Sequence, residues 1–307
     1  MKVFRNFEDA GIIRNAVVTT GSFDGVHLGH KTILNRLKML AEKNDGESVL
    51  ITFHPHPRKV LYPDTTGKTL KLINSQEEKL DLLRKTGLDN LIIIEFTKDF
   101  AKITSEQFVK DFLFNILKTK VVVAGFNHHF GFNKEGDYHQ LWEMGKKYNF
   151  IAEEIPEQEV HHETVSSSLV RQSIGDGYIQ RANAYLDHYY IITGVPALHD
   201  EDFLPDTIPF YKIPITEETK LIPAHGIYAV STGNISADSR GMVIITKNLS
   251  GETEVLLHPF ERRKIFTGQK ITLFFHKKVS GLIEPGNLNL FTSTFRNAIG
   301  EISDLIY

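Results

Sequence analysis

Gly21-Ser22-Phe23-Asp24-Gly25-Val26-His27-Leu28-Gly29-His30 follows directly on the apolar run Ala16-Val17-Val18-Thr19-Thr20, and after it Ile33, Leu34, Leu37, Leu40 and Ala41 recur at helical spacing. A short apolar run that ends at a glycine reads as a buried parallel strand, and the spacing behind it as an amphipathic helix. In an open α/β sheet, ligands bind beyond the carboxyl ends of such strands. Gly21, Gly25 and Gly29 let a backbone approach a ligand closely. The start of the helix offers N–H groups and a positive dipole end, which suits a phosphate. His27 and His30, three residues apart, project from one face of the first turn. There, two imidazole donors can stabilise charge growing on a phosphoryl group. Asp24 is placed to cap the helix. No Walker pattern and no Gly-x-Gly-x-x-Gly is present, so neither of those nucleotide cradles applies.

Outward from this segment the two periods alternate. Val49 to Phe53, Leu91 to Ile94 and Val121 to Ala124 read as further strands, the last ending at Gly125. Between them, Ser75 with Glu78 and Thr104 with Gln107 are capping boxes, the second opening a helix through Phe108, Phe112 and Ile116. Strand, helix, strand, helix predicts a parallel sheet covered on both faces. Near Tyr189 the texture changes to short β-type runs: Ile191 to Val195, Gly226 to Val230, Met242 to Thr246, Thr253 to His258 and Lys270 to Phe275. Turn formers separate them and no long helical pattern intervenes, so an antiparallel barrel or sandwich is predicted, closed by one helix over Thr294 to Ile306. The expected class is α/β: a Rossmann-like domain over 1–187, then a smaller antiparallel β-barrel domain over 188–307.

Length and composition agree. The 307 residues suggest two domains, and 41% hydrophobic with 24% charged residues excludes disordered and fibrous classes. A formal charge of -3 argues against a protein that blankets nucleic acid. The absence of cysteine excludes disulfides, thiolate metal sites and a cysteine nucleophile. Neither a signal-peptide core nor a run of about 20 apolar residues is found, so a cytoplasmic protein without membrane or nucleic-acid partners is expected.

Other segments carry chemistry by residue type. Ser166, Ser167 and Ser168 are strong caps for the helix bearing Val170 and Ile174, and their N–H groups suit phosphate oxygens. Arg171, one turn in, is a permanent cation able to hold phosphate bidentately, or else a surface arginine after a cap. Pro55 and Pro57 stiffen the loop after the second strand, where His56 is a ligand-facing or a plain loop residue. The aromatic loop Phe126 to Phe132 either stacks a flat ring or packs into the core. The histidine pairs 54/56, 128/129 and 161/162 lack acidic partners at ligand spacing, and no metal site is assigned to them.

Taken together, these segments resemble the prokaryotic bifunctional riboflavin kinase/FAD synthetase family, whose N-terminal half is an FMN adenylyltransferase of the HxGH nucleotidyltransferase superfamily. Gly21 to His30 resembles its Gly-x-Phe-Asp-Gly-x-His-x-Gly-His signature. Thr52-Phe53-His54-Pro55-His56-Pro57 resembles its Phe-x-Pro-His-Pro segment, Val123 to Gly131 its Gly-x-Asp-Phe-x-Phe-Gly segment, and Val165 to Arg171 its Ile-Ser-Ser-Thr-x-Ile-Arg segment. The resemblance implies AMP transfer from ATP, with Mg²⁺, to FMN, giving FAD. It implies catalytic roles for His27, His30 and Arg171. ATP would meet Gly21, Ser22, Phe23, Asp24, Gly25, Gly29, Ser167 and Ser168, and the flavin Phe53, Pro55, His56, Pro57, Asn127 and Phe130. The family's aspartate in the fourth-strand loop is Asn127 here, which keeps hydrogen bonding and loses a charge.

Over the second domain the resemblance thins. Pro223 to Ala229 and Phe266-Thr267-Gly268 resemble segments of the family's riboflavin kinase barrel. Glu254 to Phe260 resembles the segment with its catalytic base, so Glu254 is either a relic of that base or a barrel surface residue. The stretch corresponding to the kinase phosphate loop, His199 to Ile213, contains no glycine, and Phe210-Tyr211-Lys212 stands where the family has small polar residues. Asp200, Glu201 and Asp202 would repel a triphosphate. A synthetase with a degenerate kinase barrel is expected, with riboflavin turnover by the barrel, another acceptor nucleotide chemistry, or a flavin-binding regulator as the alternatives.

Overall fold

The computed structural model describes residues 1–126, 129–160, 163–198, 210–233, 239–248, 250–260, 268–281 and 288–305. The chain divides into two compact units. One is Met1–Leu70 with Lys79–Ser166, and the other is Lys71–Glu78 with Ser167–Tyr307.

In the first unit, β1 is Lys2–Phe4, β2 Val17–Thr20, α1 Leu28–Lys43, β3 Ser48–His54 and α2 Pro57–Leu61. Then follow α3 Gln76–Lys85, whose first turn folds with the second unit, β4 Asn90–Glu95, α4 Ser105–Gln107 and β5 Val121–Gly125. After α5 Tyr138–Tyr148 come β6 Ile151–Ile155 and the short hairpin of β7 Glu159–Val160 and β8 Glu163–Thr164. The six long-range strands form one parallel sheet in the order β1-β4-β3-β2-β5-β6. Sequence reading finds the four central strands and misses β1 and β6, the two edges. Edge strands are part-solvated and need no continuous apolar run; β6 reads Ile-Ala-Glu-Glu-Ile.

The period-two alternation builds a core on each face. Val18, Val49, Ile51, Ile92, Ile94, Val122 and Ala124 point to one face, against Phe7, Phe108, Leu113 and Leu141. Their neighbours Val17, Leu50, Leu91, Ile93, Val121 and Val123 point to the other, against Leu34, Leu37 and Leu40 of α1 and Leu83 of α3. A strand buried on both faces reads as a near-continuous apolar run, which is why these four were legible.

The Thr104 capping box forms, with Gln107 N–H donating to Thr104 Oγ1 at 3.1 Å and Thr104 N–H to Gln107 Oε1 at 3.0 Å. The expected α-helix behind it is corrected. From Phe108 to Ile116 the segment is a π-helix, and Leu117 N–H donates to the Phe112 carbonyl five residues back. Two rings of this segment meet one partner: Phe112 stacks on Phe7 at 4.3 Å and Phe108 meets Phe7 edge-on at 6.5 Å.

The second unit holds α6 Ser167–Gly175 and α7 Ile179–Leu186, then β9 Tyr190–Gly194, β10 Ala197–Leu198, β11 Tyr211–Lys212, β12 Gly226–Gly233, β13 Ser239–Lys247, β14 Thr253–Pro259, β15 Ile271–Ser280 and α8 Leu288–Leu305. Its strands make one antiparallel sheet, β10-β11-β14-β13-β12-β15-β9, curled into a half-barrel. Phe295, Ala298 and Ile302 of α8 pack on Phe210, Ile227, Ala229, Ile244 and Leu256 of this sheet. The closing helix starts at Leu288, six residues before the predicted Thr294.

Residues 71–78 also belong to this unit. Leu72 N–H donates to the Thr219 carbonyl and Leu221 N–H to the Leu72 carbonyl, both at 2.7 Å. Lys220 Nζ, 3% exposed, donates to Glu78 Oε2 at 2.7 Å and to the carbonyls of Ile73 and Ile191. Glu78 in turn accepts from Thr193 N–H and Ser75 N–H, each at 2.9 Å. Among the described residues no helix is long and apolar enough to cross a membrane.

Candidate active site

The chain order of the first unit's sheet reverses between β2 and β5: from β2 the chain runs outward through β3 and β4, then returns to lay β5 and β6 on the other side. Such a switch point opens a crevice at the carboxyl ends of the strands, where doubly wound sheets bind their ligands. Three loops leave those ends. They are Gly21 to His27 after β2, Pro55 and His56 after β3, and the Phe126 loop after β5.

The first loop is tightly held. Gly21 N–H donates to the Ile51 carbonyl at 3.0 Å, which ties the loop to β3. Phe23 has φ 48° and Val26 φ 43°, both in the left-handed region, and Gly25 has φ 90°. Glycine takes that conformation freely, whereas each of the other two costs about 1–3 kcal/mol and persists only where the surroundings over-determine it. The result is a stack of three rings. His27 and His30 lie face to face with centroids 3.6 Å apart, and Phe23 covers His30 at 4.4 Å. A Cβ on Gly21 would stand 3.1 Å from the Phe23 ring, which would have to give by a few tenths of an ångström, whereas one on Gly29 would meet the His27 ring at 3.4 Å, an ordinary contact.

His27 is the N-cap residue of α1 and makes no side-chain cap, and Asp24, 4% exposed, sits three residues earlier. The first turn directs its N–H groups, those of Leu28 and Gly29 among them, past the end of the helix.

A buried cation lies beneath this loop. Lys79 of α3, 7% exposed, donates from Nζ to the Ser22 carbonyl and to Thr52 Oγ1, both at 3.3 Å. Thr52 Oγ1 donates to the same Ser22 carbonyl at 3.2 Å. Sequence reading missed Lys79. The signal was present, because Lys79 shares the inward stripe of α3 with Leu80 and Leu83 at helical spacing, where a charged residue needs a partner.

The remaining predicted residues divide. Phe53, at the end of β3, is half-buried and packs against Phe96 and Phe100 at 5.5 and 5.9 Å. His56 is the N-cap of α2, accepting from Arg58 N–H at 3.2 Å, with Pro57 in the first turn and Pro55 exposed before it. Phe130 packs toward the core beside Phe108 at 6.3 Å, whereas Phe126 and Phe132 are exposed. Asn127 lies outside the described residues. Ser167, Ser168 and Arg171 fall in the second unit, where α6 begins at Ser167 and carries Arg171 one turn later.

Glu254 is also in the second unit. It is 2% exposed, so the reading of it as a barrel surface residue is overturned. It sits on β14, and its Oε1 accepts from Lys212 Nζ of the neighbouring β11. Its Oε2 has no hydrogen-bond partner among the described residues. Burying a carboxylate demands a partner charge, and the partner here is the lysine that replaces a small polar residue of the resembled motif.

A family model described as FAD synthetase matches residues 10–169, just over half of the chain and the whole of the ring stack, Lys79 and the β3 loop. The chain belongs to the FAD synthetase family. Its relatives include the bifunctional riboflavin kinase/FMN adenylyltransferase of Listeria monocytogenes, 28% identical over 87% of this chain and 81% of that protein. The protein of the same description from Escherichia coli K12 is 31% identical over 70% of this chain and 67% of its own length. A protein of Listeria monocytogenes described as FAD synthetase is 31% identical over 73% and 84%. Among solved structures, the crystal structure of a macrolide-efflux protein from Streptococcus pneumoniae superposes with a TM-score of 0.84 over 97% of both chains at 22% identity, which establishes the shared fold alone. Members of the FAD synthetase family thus resemble this chain beyond the matched domain, since the first relative reaches well into the second unit.

Proposed function

We propose that the chain transfers AMP from ATP to FMN, giving FAD and pyrophosphate, and that its barrel does not phosphorylate riboflavin. The observation that carries the first half is the His27–His30 pair, stacked at 3.6 Å where α1 opens at the switch point. A terminal FMN phosphate oxygen attacks the α-phosphorus of ATP, the bond from that phosphorus to the α–β bridging oxygen breaks, and pyrophosphate leaves. A phosphate monoester, with a second pKa of about 6, is already a nucleophile near neutrality, so no general base is needed. Catalysis is then positioning together with stabilisation of charge on the transferring and leaving groups. The two imidazoles and the first-turn N–H groups of α1 are the donors for that charge. Among the described residues no three His, Asp or Glu side chains stand together as a metal site. Mg²⁺ coordinates nucleotide phosphates and enters as part of the Mg²⁺–ATP substrate.

Two features support the loss of kinase chemistry: the glycine-free stretch His199 to Ile213, and the Lys212 ammonium seated on Glu254. The unpartnered Glu254 Oε2 favours a second reading, in which the barrel still takes riboflavin and accepts a hydrogen bond from its hydroxyl. Chromatography of reactions with Mg²⁺–ATP and either FMN or riboflavin separates the two. FAD from FMN and no product from riboflavin is the expected result. FMN or FAD from riboflavin, abolished by Glu254→Gln, would establish the bifunctional reading instead. No FAD from FMN would overturn the synthetase assignment.

A further inference from the structure

We propose that Lys79 is a positioning residue for the adenylyl-transfer site, acting through the Ser22 carbonyl. The inference rests on the reading of His27 and His30 as the donors to the transferring phosphate. Three observations within the first unit carry it. A lysine that is 7% exposed sits among Leu80, Leu83 and the apolar cluster beneath the sheet, where an ammonium is retained only if it is well bonded. Its partners include Thr52 Oγ1 and the Ser22 carbonyl, and Thr52 Oγ1 is bonded to that same carbonyl, so two donors fix one oxygen of the loop. The residue after Ser22 is Phe23, which holds φ 48° and covers the outer face of His30.

The chain of consequence is short. With its carbonyl clamped, the Ser22–Phe23 peptide plane is fixed, because that carbonyl and the Phe23 N–H share one plane. A fixed plane at Phe23 sets where its ring goes. The ring closes the Phe23–His30–His27 stack, which places both imidazoles. Release of the clamp would let a strained loop relax toward ordinary φ values, and the stack would lose its outer wall. Misplacing a donor by about 1 Å from a change remote from the chemistry can cost about 100-fold in rate. Lysine suits the task because its ammonium spreads several donors over converging oxygens.

The test uses the full chain with Lys79→Met, Lys79→Arg and Thr52→Val beside the unchanged protein. Two readouts are taken below the melting transition: steady-state FAD formation, and the imidazole Hε1 signals of His27 and His30 by NMR without ligands. Lys79→Met is expected to lower kcat by roughly 10- to 100-fold, with the KM for FMN within about threefold, and to shift both imidazole signals as their ring stacking loosens. Lys79→Arg is expected to restore part of the rate. Thr52→Val, which keeps the lysine and removes one of the two donors, is expected to shift the same signals less far. It also carries the test if Lys79→Met does not fold. Unmoved imidazole signals and a kcat within about threefold in a variant that is merely less stable would overturn the proposal. Absence of FAD formation in the unchanged protein would defeat the assigned reaction instead, and the imidazole signals would still decide whether Lys79 sets the stack.

Discussion

Replacing His30 with alanine is expected to cut FAD formation from FMN by roughly 100- to 1000-fold, the usual cost of removing one donor to a developing negative charge. The loss should appear in kcat more than in the KM for FMN, because an interaction made only in the transition state lowers kcat and kcat/KM together. His30 is half-buried in the stack, so the variant loses one ring contact on Phe23 and one on His27, each worth about 0.5–1.5 kcal/mol. It should therefore remain folded, with an unchanged far-ultraviolet circular dichroism spectrum. His30→Phe sharpens the measurement, since it keeps a flat ring between Phe23 and His27 and supplies no N–H. Loss of turnover in both variants assigns the effect to the donor. Wild-type turnover in His30→Phe would assign His30 to packing and remove it from the chemistry.

Replacing Glu78 with glutamine is expected to destabilise the second unit by about 3–5 kcal/mol, because it strands the Lys220 ammonium in the interior. Both side chains are 2% exposed. Lys220 keeps the carbonyls of Ile73 and Ile191 and the face of the Tyr190 ring at 4.4 Å, but neutral acceptors do not balance a buried charge. For a unit of this size the loss corresponds to a fall of roughly 10 °C in its thermal midpoint. Lys220→Met should cost a similar amount, since it leaves the carboxylate buried without its counter-charge. The double variant Glu78→Leu with Lys220→Met should recover much of the loss, because a well-packed apolar pair often matches a buried ion pair in stability. Additive losses in the double variant would show that the ion pair is not the coupled element. Differential scanning calorimetry of the four proteins provides the measurement.

What the sequence disclosed depended on how far apart the interacting residues lie along it. The strand, the Gly21 to His30 turn and α1 are consecutive, and a strand covered on both faces is nearly continuous in apolar residues, so the site's central segment was readable. So were the two capping boxes, each confined to four residues. The partners of Lys220 were not readable, because Glu78 is 142 residues away and neither residue announces the other. Lys79 was missed for a related reason: its partners Ser22 and Thr52 lie 57 and 27 residues away. Glu254 was read as a motif relic or a surface residue. Its burial follows from the β11–β14 pairing that sets Lys212 beside it, a register with no local sequence signal. Asp24 looked like a cap by residue type, but the loop places His27 at that position instead.

Because residues 71–78 fold with 167–307, the backbone passes between the two units three times, at 70/71, 78/79 and 166/167. No single scission separates them. A cut between Ser166 and Ser167 yields a front fragment that carries an eight-residue peptide complementary to the back fragment. The Leu72 bridge and the Glu78–Lys220 clasp then join residues of two separate pieces. A gene truncated after residue 187 would instead encode a sheet with that peptide left bare, its Leu72 backbone without the Thr219 and Leu221 partners and its Glu78 carboxylate without Lys220 and Thr193. Assigning activity to either unit by deletion would thus confound loss of a domain with injury to the one retained.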